Sequence, residues 1–216
     1  MSTDSSITTA RISYEKGELV EGQVASDPFV QFGGWLDEAL ATDGLIEPYA
    51  VTVATVASNG QPSARVVLLR GYDERGFVFF TNYESRKGLE LDAVGKAGML
   101  FYWGALERQI RIDGTVARIS GEESDSYFAK RPRGHRLSAW ASKQSAVVPD
   151  RAYLEAEMAR EDARFKDVEV PRPEYWGGYR VAPLAFEFWQ GRRNRVHDRI
   201  AYVRSDAVWQ IERLSP

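Results

Sequence analysis

The chain has 216 residues, of which 44% are hydrophobic and 12% aromatic, enough to bury the core of one domain or of two small ones. Its formal net charge of −3 argues against a general nucleic-acid or membrane-surface binder, so a cationic site has to be a local cluster made for a small anion. With no cysteine there are no disulfides, thiolate metal sites or cysteine nucleophiles, and two histidines leave little for a zinc centre.

The opening MSTDSSITTA lacks the basic and apolar segments of a signal peptide, and no apolar run approaches the ~18 residues of a membrane span. The expectation is a cytoplasmic protein with residues 1–20 flexible. DPFVQFGGWLDEALATDG then offers Asp27 as N-cap and a proline at the first helical position, and Phe29, Phe32, Leu36 and Leu40 fall on one face of the predicted helix. Residues 50–81, AVTVATVASNGQPSARVVLLRGYDERGFVFFT, form three apolar, β-branched runs. The turns between them, SNGQP and YDERG, are short enough to predict an antiparallel meander.

SRKGLELDAV predicts a short helix and AGMLFYW a strand, while ERQIRIDGTVARIS alternates around Ile110 and Ile112 until Gly114, read as a bulge. Ser120 and Glu123 have capping-box spacing and open a helix through Tyr127 and Phe128 that Pro132 ends. DRAYLEAEMAREDARF predicts a charged surface helix. VEVPRPEYWGGY resembles a linker, after which strand patterns return in LAFEFWQ, VHDRIAYVR and AVWQIERL. Six to eight antiparallel strands with three or four peripheral helices predict a mainly β fold, a closed or nearly closed barrel in a single domain of residues 1–216. A parallel nucleotide-binding sheet would alternate strand and helix, and neither GxGxxG nor GxxxxGK[ST] occurs.

Basic residues gather in four segments: RVVLLR (65–70), TNYESRKG (81–88), KRPRGHR (130–136) and GRRNRVHDR (191–199). Singly, each fits a solvated turn or an edge strand kept soluble by charge. Extended backbone from Arg195 would place Arg195, His197 and Arg199 on one face. Together, each beside apolar or aromatic sequence in an acidic chain, the segments fit a site for phosphorylated planar ligands. With no GxSxG elbow, no HExxH helix and carboxylates scattered on charged helices, an enzyme here takes its hard chemistry from an organic cofactor.

From about Arg11 to the C-terminus the ordered segments RISYEKGEL, DPFVQF, RVVLLRGYDERGFVFFTNYESRKG, LERQIRIDG, YFAKRPRG, SAWASKQS, WGGYR, EFWQGRRNRVHDR and ERLSP resemble the pyridoxine/pyridoxamine 5'-phosphate oxidases, FMN enzymes of the split-barrel fold. The resemblance implies an antiparallel split β-barrel and a homodimer with FMN at the subunit interface. It also implies oxidation of the 4' carbon of pyridoxine or pyridoxamine 5'-phosphate to pyridoxal 5'-phosphate, with O2 reduced to H2O2 and ammonia released from the amine.

On the same basis FMN falls to Arg65, Val66, Val67, Leu68, Leu69, Arg70, Phe80, Thr81, Arg86, Lys87, Gln109, Gln144, Ser145, Trp189 and Arg199, with Arg86 and Lys87 at its phosphate. Substrate phosphate falls to Tyr127 and Arg131, with Arg70 and His135 beside them. Arg195, Val196 and His197 close over the pyridine ring, Arg195 orienting substrate and His197 positioning it, while Arg11 and Tyr14 belong to a covering N-terminal segment. Three positions depart from the family pattern: Arg70 replaces a lysine, His135 a serine and Ser138 a glycine. A protonated His135 would add a charge-assisted contact to the phosphate. Two other readings stand beside this one: a flavin oxidase of dihydrophenazine carboxylates, and a flavin- or pyridoxal-phosphate-binding protein without turnover.

Overall fold

The computed structural model describes residues 12–206 and 208–216. The chain divides into two compact units: a terminal one, comprising the residues up to Pro48, Leu100–Arg111 and Ala185–Pro216, and a central one of Tyr49–Met99 and Ile112–Leu184.

In the central unit, β1 (Ala50–Val56) and β2 (Pro62–Leu68) form an antiparallel hairpin in register from Ala50↔Leu68 to Val56↔Pro62. β3 (Gly71–Asp73) and β4 (Gly76–Asn82) form a second hairpin, whose turn is held by the Asp73 carboxylate accepting the Arg75 N–H at 2.9 Å. The predicted meander is therefore two separate hairpins. YDERG closes a hairpin of its own because Tyr72 and Asp73 already pair with β4, and β2 and β4 are not neighbours in the sheet. β2 lies at one end of the strand order, and Val66 is exposed.

α2 (Arg86–Val94) leads into β5 (Lys96–Trp103), and β6 (Arg108–Arg118) follows. Gly114 does not interrupt β6. A Cβ there would stand 2.4 Å from Ala182 O, so the glycine permits close backbone approach instead of marking a bulge. α3 (Gly121–Ala129) starts as predicted, with Ser120 Oγ accepting the Glu123 N–H at 3.1 Å. α4 (Arg133–Ala141) and α5 (Arg151–Arg164) enclose Leu137, Phe165 and Val170. β7 (Trp176–Gln190) begins inside the linker-like stretch, pairing Asn82↔Trp176 through Phe77↔Val181. Its Gly177 and Gly178 look like breakers in sequence, yet a Cβ on either would strike Tyr83 Oη at 2.0 Å or Ile119 Cδ1 at 2.4 Å.

The terminal unit holds α1 (Pro28–Ala41), β8 (Asp198–Ser205) and β9 (Val208–Arg213), joined by the ends of β5, β6 and β7. Asp27 Oδ1 accepts the Phe29 N–H at 2.7 Å, the predicted cap. The buried stripe of α1 is Phe32, Trp35, Leu36 and Ala39. Leu40 is exposed, because it lies with half-buried Phe29 at the rim of that stripe. Trp35 meets Phe188 edge to face at 5.2 Å and Phe32 meets Phe101 at 5.2 Å, so the core here is aromatic. Strand order along the sheet is β2-β1-β5-β6-β7-β4-β3, with β8 on β7 and β9 on β8. Among the described residues no helix is long and apolar enough to cross a membrane.

Candidate active site

β4 ends by presenting Phe80 and Thr81, and the chain turns through Asn82–Ser85 into α2. Ser85 Oγ donates to Asn82 O at 2.7 Å and accepts from Gly88 N–H at 3.3 Å. Gly88 is required beneath this turn, since a Cβ would lie 2.2 Å from Tyr83 O. TNYESRKG is consequently not a solvated turn. Lys87 is 8% exposed, and its Nζ donates to Gln144 Oε1 at 2.8 Å, Thr81 Oγ1 at 3.1 Å and Ser85 Oγ at 3.2 Å. Burial, reinforced by the nearby Arg65 charge and opposed by Glu90, lowers the Lys87 pKa to about 8.

One helical turn beyond Arg86 lies buried Glu90. Its Oε1 accepts from Arg86 Nε at 2.9 Å, and its Oε2 accepts from Ser63 Oγ at 2.6 Å, from the Thr55 hydroxyl, and from Arg65 Nη2 at 3.4 Å. Burial opposes ionisation of this carboxyl, but the hydrogen bonds from Ser63, Thr55 and Arg86 outweigh it and bring the pKa down to about 2.

These elements border a cavity of about 850 Å³. Of the residues predicted to bind flavin, Arg65, Val66, Val67, Leu68, Arg70, Phe80, Thr81, Lys87 and Gln144 line it, and so do the predicted substrate residues Tyr127, Arg131 and His135. Lys130 adds a further cation, and no carboxylate is among the lining residues. One wall is a stack of rings. Phe80 and Tyr127 lie 3.8 Å apart at 11°, Tyr127 and Trp176 are 6.2 Å apart at 7°, and the Arg131 guanidinium sits 4.4 Å over Trp176.

Burial lowers the Arg131 pKa, Tyr127 opposes it in part and Arg70 adds a smaller lowering, and Arg131 Nη1 is buried without a hydrogen-bond partner. An unpaired buried N–H of a guanidinium is costly, and an anion in the cavity would satisfy it. Stacked rings beside uncompensated cations suit a planar group carrying phosphate, so these residues fit FMN or a phosphorylated pyridine.

Three predicted flavin residues of the central unit do not line the cavity. Leu69 is buried in the core, its N–H donating to Tyr49 O at 2.9 Å. Arg86 and Ser145 sit beside it next to Gln144, the Arg86 N–H donating to Ser145 Oγ at 3.2 Å, and Ser145 takes a left-handed φ of 74°.

The remaining predicted residues belong to the terminal unit. Trp189 and Arg199 are opposed in the β7–β8 register. Trp189 and His197 are 4.7 Å apart, with Tyr14 at 5.8 Å and 5.7 Å from them. Gly191 makes room for Tyr14, since a Cβ would lie 2.7 Å from its Cγ. His197 Nδ1 accepts the Arg192 N–H at 3.1 Å, which leaves Nε2 to carry the proton of the neutral ring. Burial, then the charge of Arg195, lowers the His197 pKa, with Asp198 opposing.

Arg199 grips Glu187 bidentately at 2.8 and 3.1 Å. The expected alternation of Arg195, His197 and Arg199 on one extended face does not occur. Residues 193–195 form a 3-10 turn with φ of 56° at Asn194 and 63° at Arg195, and β8 starts only at Asp198. Arg195 and Val196 are exposed, Gln109 is half-buried on β6, and Arg11 lies outside the described residues.

Residues 36–165 match the family model described as pyridoxamine 5'-phosphate oxidase, and residues 176–216 match that of the pyridoxine 5'-phosphate oxidase C-terminal dimerisation region. The chain belongs to the pyridoxamine 5'-phosphate oxidase family. The pyridoxine/pyridoxamine 5'-phosphate oxidase of Burkholderia lata is 56% identical over 209 residues, covering 95% of this chain and 97% of its own length. Its counterpart from Rubrobacter xylanophilus is 53% identical over 206 residues, covering 95% and 94%.

Among solved structures, PhzG from Burkholderia lata 383 in complex with tetrahydrophenazine-1-carboxylic acid matches with a TM-score of 0.86 at 33% identity, over 94% of this chain and 100% of that one. A pyridoxamine 5'-phosphate oxidase-related, FMN-binding protein from Nostoc punctiforme shares the fold with a TM-score of 0.66 at 20% identity, over 85% and 96%. The mainly β, split-barrel fold that the resemblance implied is thus the fold of this family member.

The sequence reading missed Trp176, Lys130, Ser142 and Asn82 as cavity residues and Glu90 as the partner of two predicted arginines. Two of these carried a local signal: Lys130 opens the basic segment KRPRGHR, and Glu90 lies four residues after Arg86 on a predicted helix.

Proposed function

We propose that the protein is a cytoplasmic, FMN-dependent oxidase that converts pyridoxine 5'-phosphate, pyridoxamine 5'-phosphate or both to pyridoxal 5'-phosphate. Dioxygen is the acceptor, hydrogen peroxide a product, and ammonia leaves when the amine is the substrate. The observation that carries this reading is Arg131, which lines the cavity stacked on Trp176 with Nη1 buried and unpaired. The match of residues 176–216 to a dimerisation region supports a homodimer, and FMN at its subunit interface is part of the same proposal.

FMN, when bound, would supply a two-electron acceptor for hydride from the substrate 4' carbon that dioxygen can reoxidise. Arg65, Thr81, Lys87 and Gln144 line the cavity and are assigned to the cofactor, with Arg86 and Ser145 next to them and Gln109, Trp189 and Arg199 as further contacts. Tyr127, Arg131, Arg70 and His135 bind the substrate phosphate, the guanidiniums as bidentate donors. Exposed Arg195 orients the pyridine ring, and neutral His197 presents Nε2–H to position it. Tyr14 covers the ring and excludes water.

A second reading rests on the likeness to PhzG, whose structure holds tetrahydrophenazine-1-carboxylic acid: oxidation of a reduced phenazine carboxylate. Incubating the FMN-loaded protein in air with each B6 phosphate and, separately, with a dihydrophenazine carboxylate decides between them. Pyridoxal phosphate and peroxide formed in equal amounts from a B6 phosphate is the expected result. Peroxide with the phenazine alone selects the second reading, and a flavin-loaded protein that consumes no oxygen with either substrate overturns both.

A further inference from the structure

We propose that Glu90 is a positioning residue that aims Arg86 and fixes Arg65, and that it thereby makes the protein prefer the phosphorylated flavin over riboflavin. The proposal rests on the FMN reading above and assigns a role to a residue that never has to touch the ligand.

Glu90 is 6% exposed and sits between the two arginines, which come from different elements, β2 and α2. All four terminal N–H groups of Arg65 are committed. Nη1 donates to Val53 O at 2.9 Å and Thr55 Oγ1 at 2.7 Å, and Nη2 donates to the Ser63 hydroxyl and to Glu90. Arg65 therefore acts as a fixed charge whose fork is already occupied. Arg86 is held differently, through Nε alone at 2.9 Å, with a side chain 59% exposed. Both of its Nη groups stay available as a fork for a phosphate. Two guanidiniums this close repel one another, and the buried carboxylate between them is what lets both stay. Thr55 and Ser63 complete its shell, so Glu90 is held from two strands while it holds Arg86.

Charge and aim predict opposite outcomes. Deleting the Glu90 charge makes the region more cationic and by Coulomb attraction alone would tighten an anion, whereas loss of aim would loosen it. Flavin-free protein titrated with FMN and with riboflavin, followed by quenching of flavin fluorescence, reads the difference. The wild type is expected to bind FMN more tightly than riboflavin, and equal affinities would overturn the FMN reading and this proposal with it.

Given that preference, Glu90→Gln should weaken FMN about tenfold and leave riboflavin unchanged. FMN binding that is unchanged or tighter, or equal losses for the two flavins, overturns the positioning role while leaving the FMN reading intact. Should Glu90→Gln fail to give a cooperative melt, Ser63→Ala removes one of its supports from a half-buried position on β2. A smaller loss for FMN alone is then expected, and no selective loss overturns the proposal.

Discussion

The cavity of the central unit and the Tyr14–Trp189–His197 cluster of the terminal unit both concentrate arginines, and they treat that charge in opposite ways. In the cavity Arg70, Lys87, Lys130 and Arg131 line a space with no carboxylate, and Lys87 is bonded only to neutral oxygens. In the terminal unit four arginines are matched to carboxylates, Arg192 with Asp198, Arg193 with Glu15, Arg199 with Glu187, and Arg213 with Glu21 and Asp198, while exposed Arg195 is not among them. The first arrangement leaves positive charge for a ligand. The second uses it to fasten chain segments, most visibly where Glu107 Oε2 accepts the N–H groups of Glu15 and Lys16 at 2.8 and 2.9 Å while Glu107 O accepts the Gly191 N–H at 2.8 Å. Uncompensated cations therefore mark the binding site better than a count of arginines does.

The contrast breaks most sharply at Arg131. Arg131→Met keeps the stem over Trp176 but removes the unpaired donor, and KM for a B6 phosphate should rise by about 100-fold with little change in kcat, as steady-state kinetics would read. Arg195→Ala should lower kcat/KM more than tenfold while the flavin spectrum of the purified protein stays unchanged. An unaltered turnover would remove Arg195 from the site.

Lys87 gives a prediction in pH. Its folded pKa, about 8, lies below the ordinary 10.5, so between these values the unfolded chain holds a proton that the folded chain has released. Flavin-free protein should gain stability from this group as pH rises from 8 to 10.5, and FMN affinity should fall over the same rise as the ammonium is lost. Lys87→Met should flatten both slopes in pH-resolved melting and titration. The smallest effect is expected in the self-neutralised region. Glu107→Ala releases two backbone N–H groups, which should raise KM severalfold and speed limited proteolysis near residue 15, with FMN affinity unchanged.

Much of the fold and part of the site were legible because they rest on local rules. Asp27, Ser85 and Ser120 cap helices through their own side chains, and the SNGQP hairpin has its turn residues in place. What failed depended on contacts distant in sequence. Gly114, Gly177 and Gly178 resemble breakers until the atoms filling their missing Cβ positions are known. Arg195 reads as strand because period-two charge alternation is the stronger local cue; Asn194 alone hints at a left-handed residue, and nothing announces a second at Arg195. The site residues came from a resemblance spanning many short segments. Composition alone reached only as far as a local anion site, and the partnership of Arg65 with Glu90 spans 25 residues.

Gly76 and Gly114 approach the same stretch of β7: a Cβ on the first would lie 2.0 Å from Val181 O, and on the second 2.4 Å from Ala182 O. Every amino acid other than glycine carries a Cβ. Amino-acid drift at these two positions therefore has no neutral first step, and any lineage that keeps this strand packing keeps both glycines.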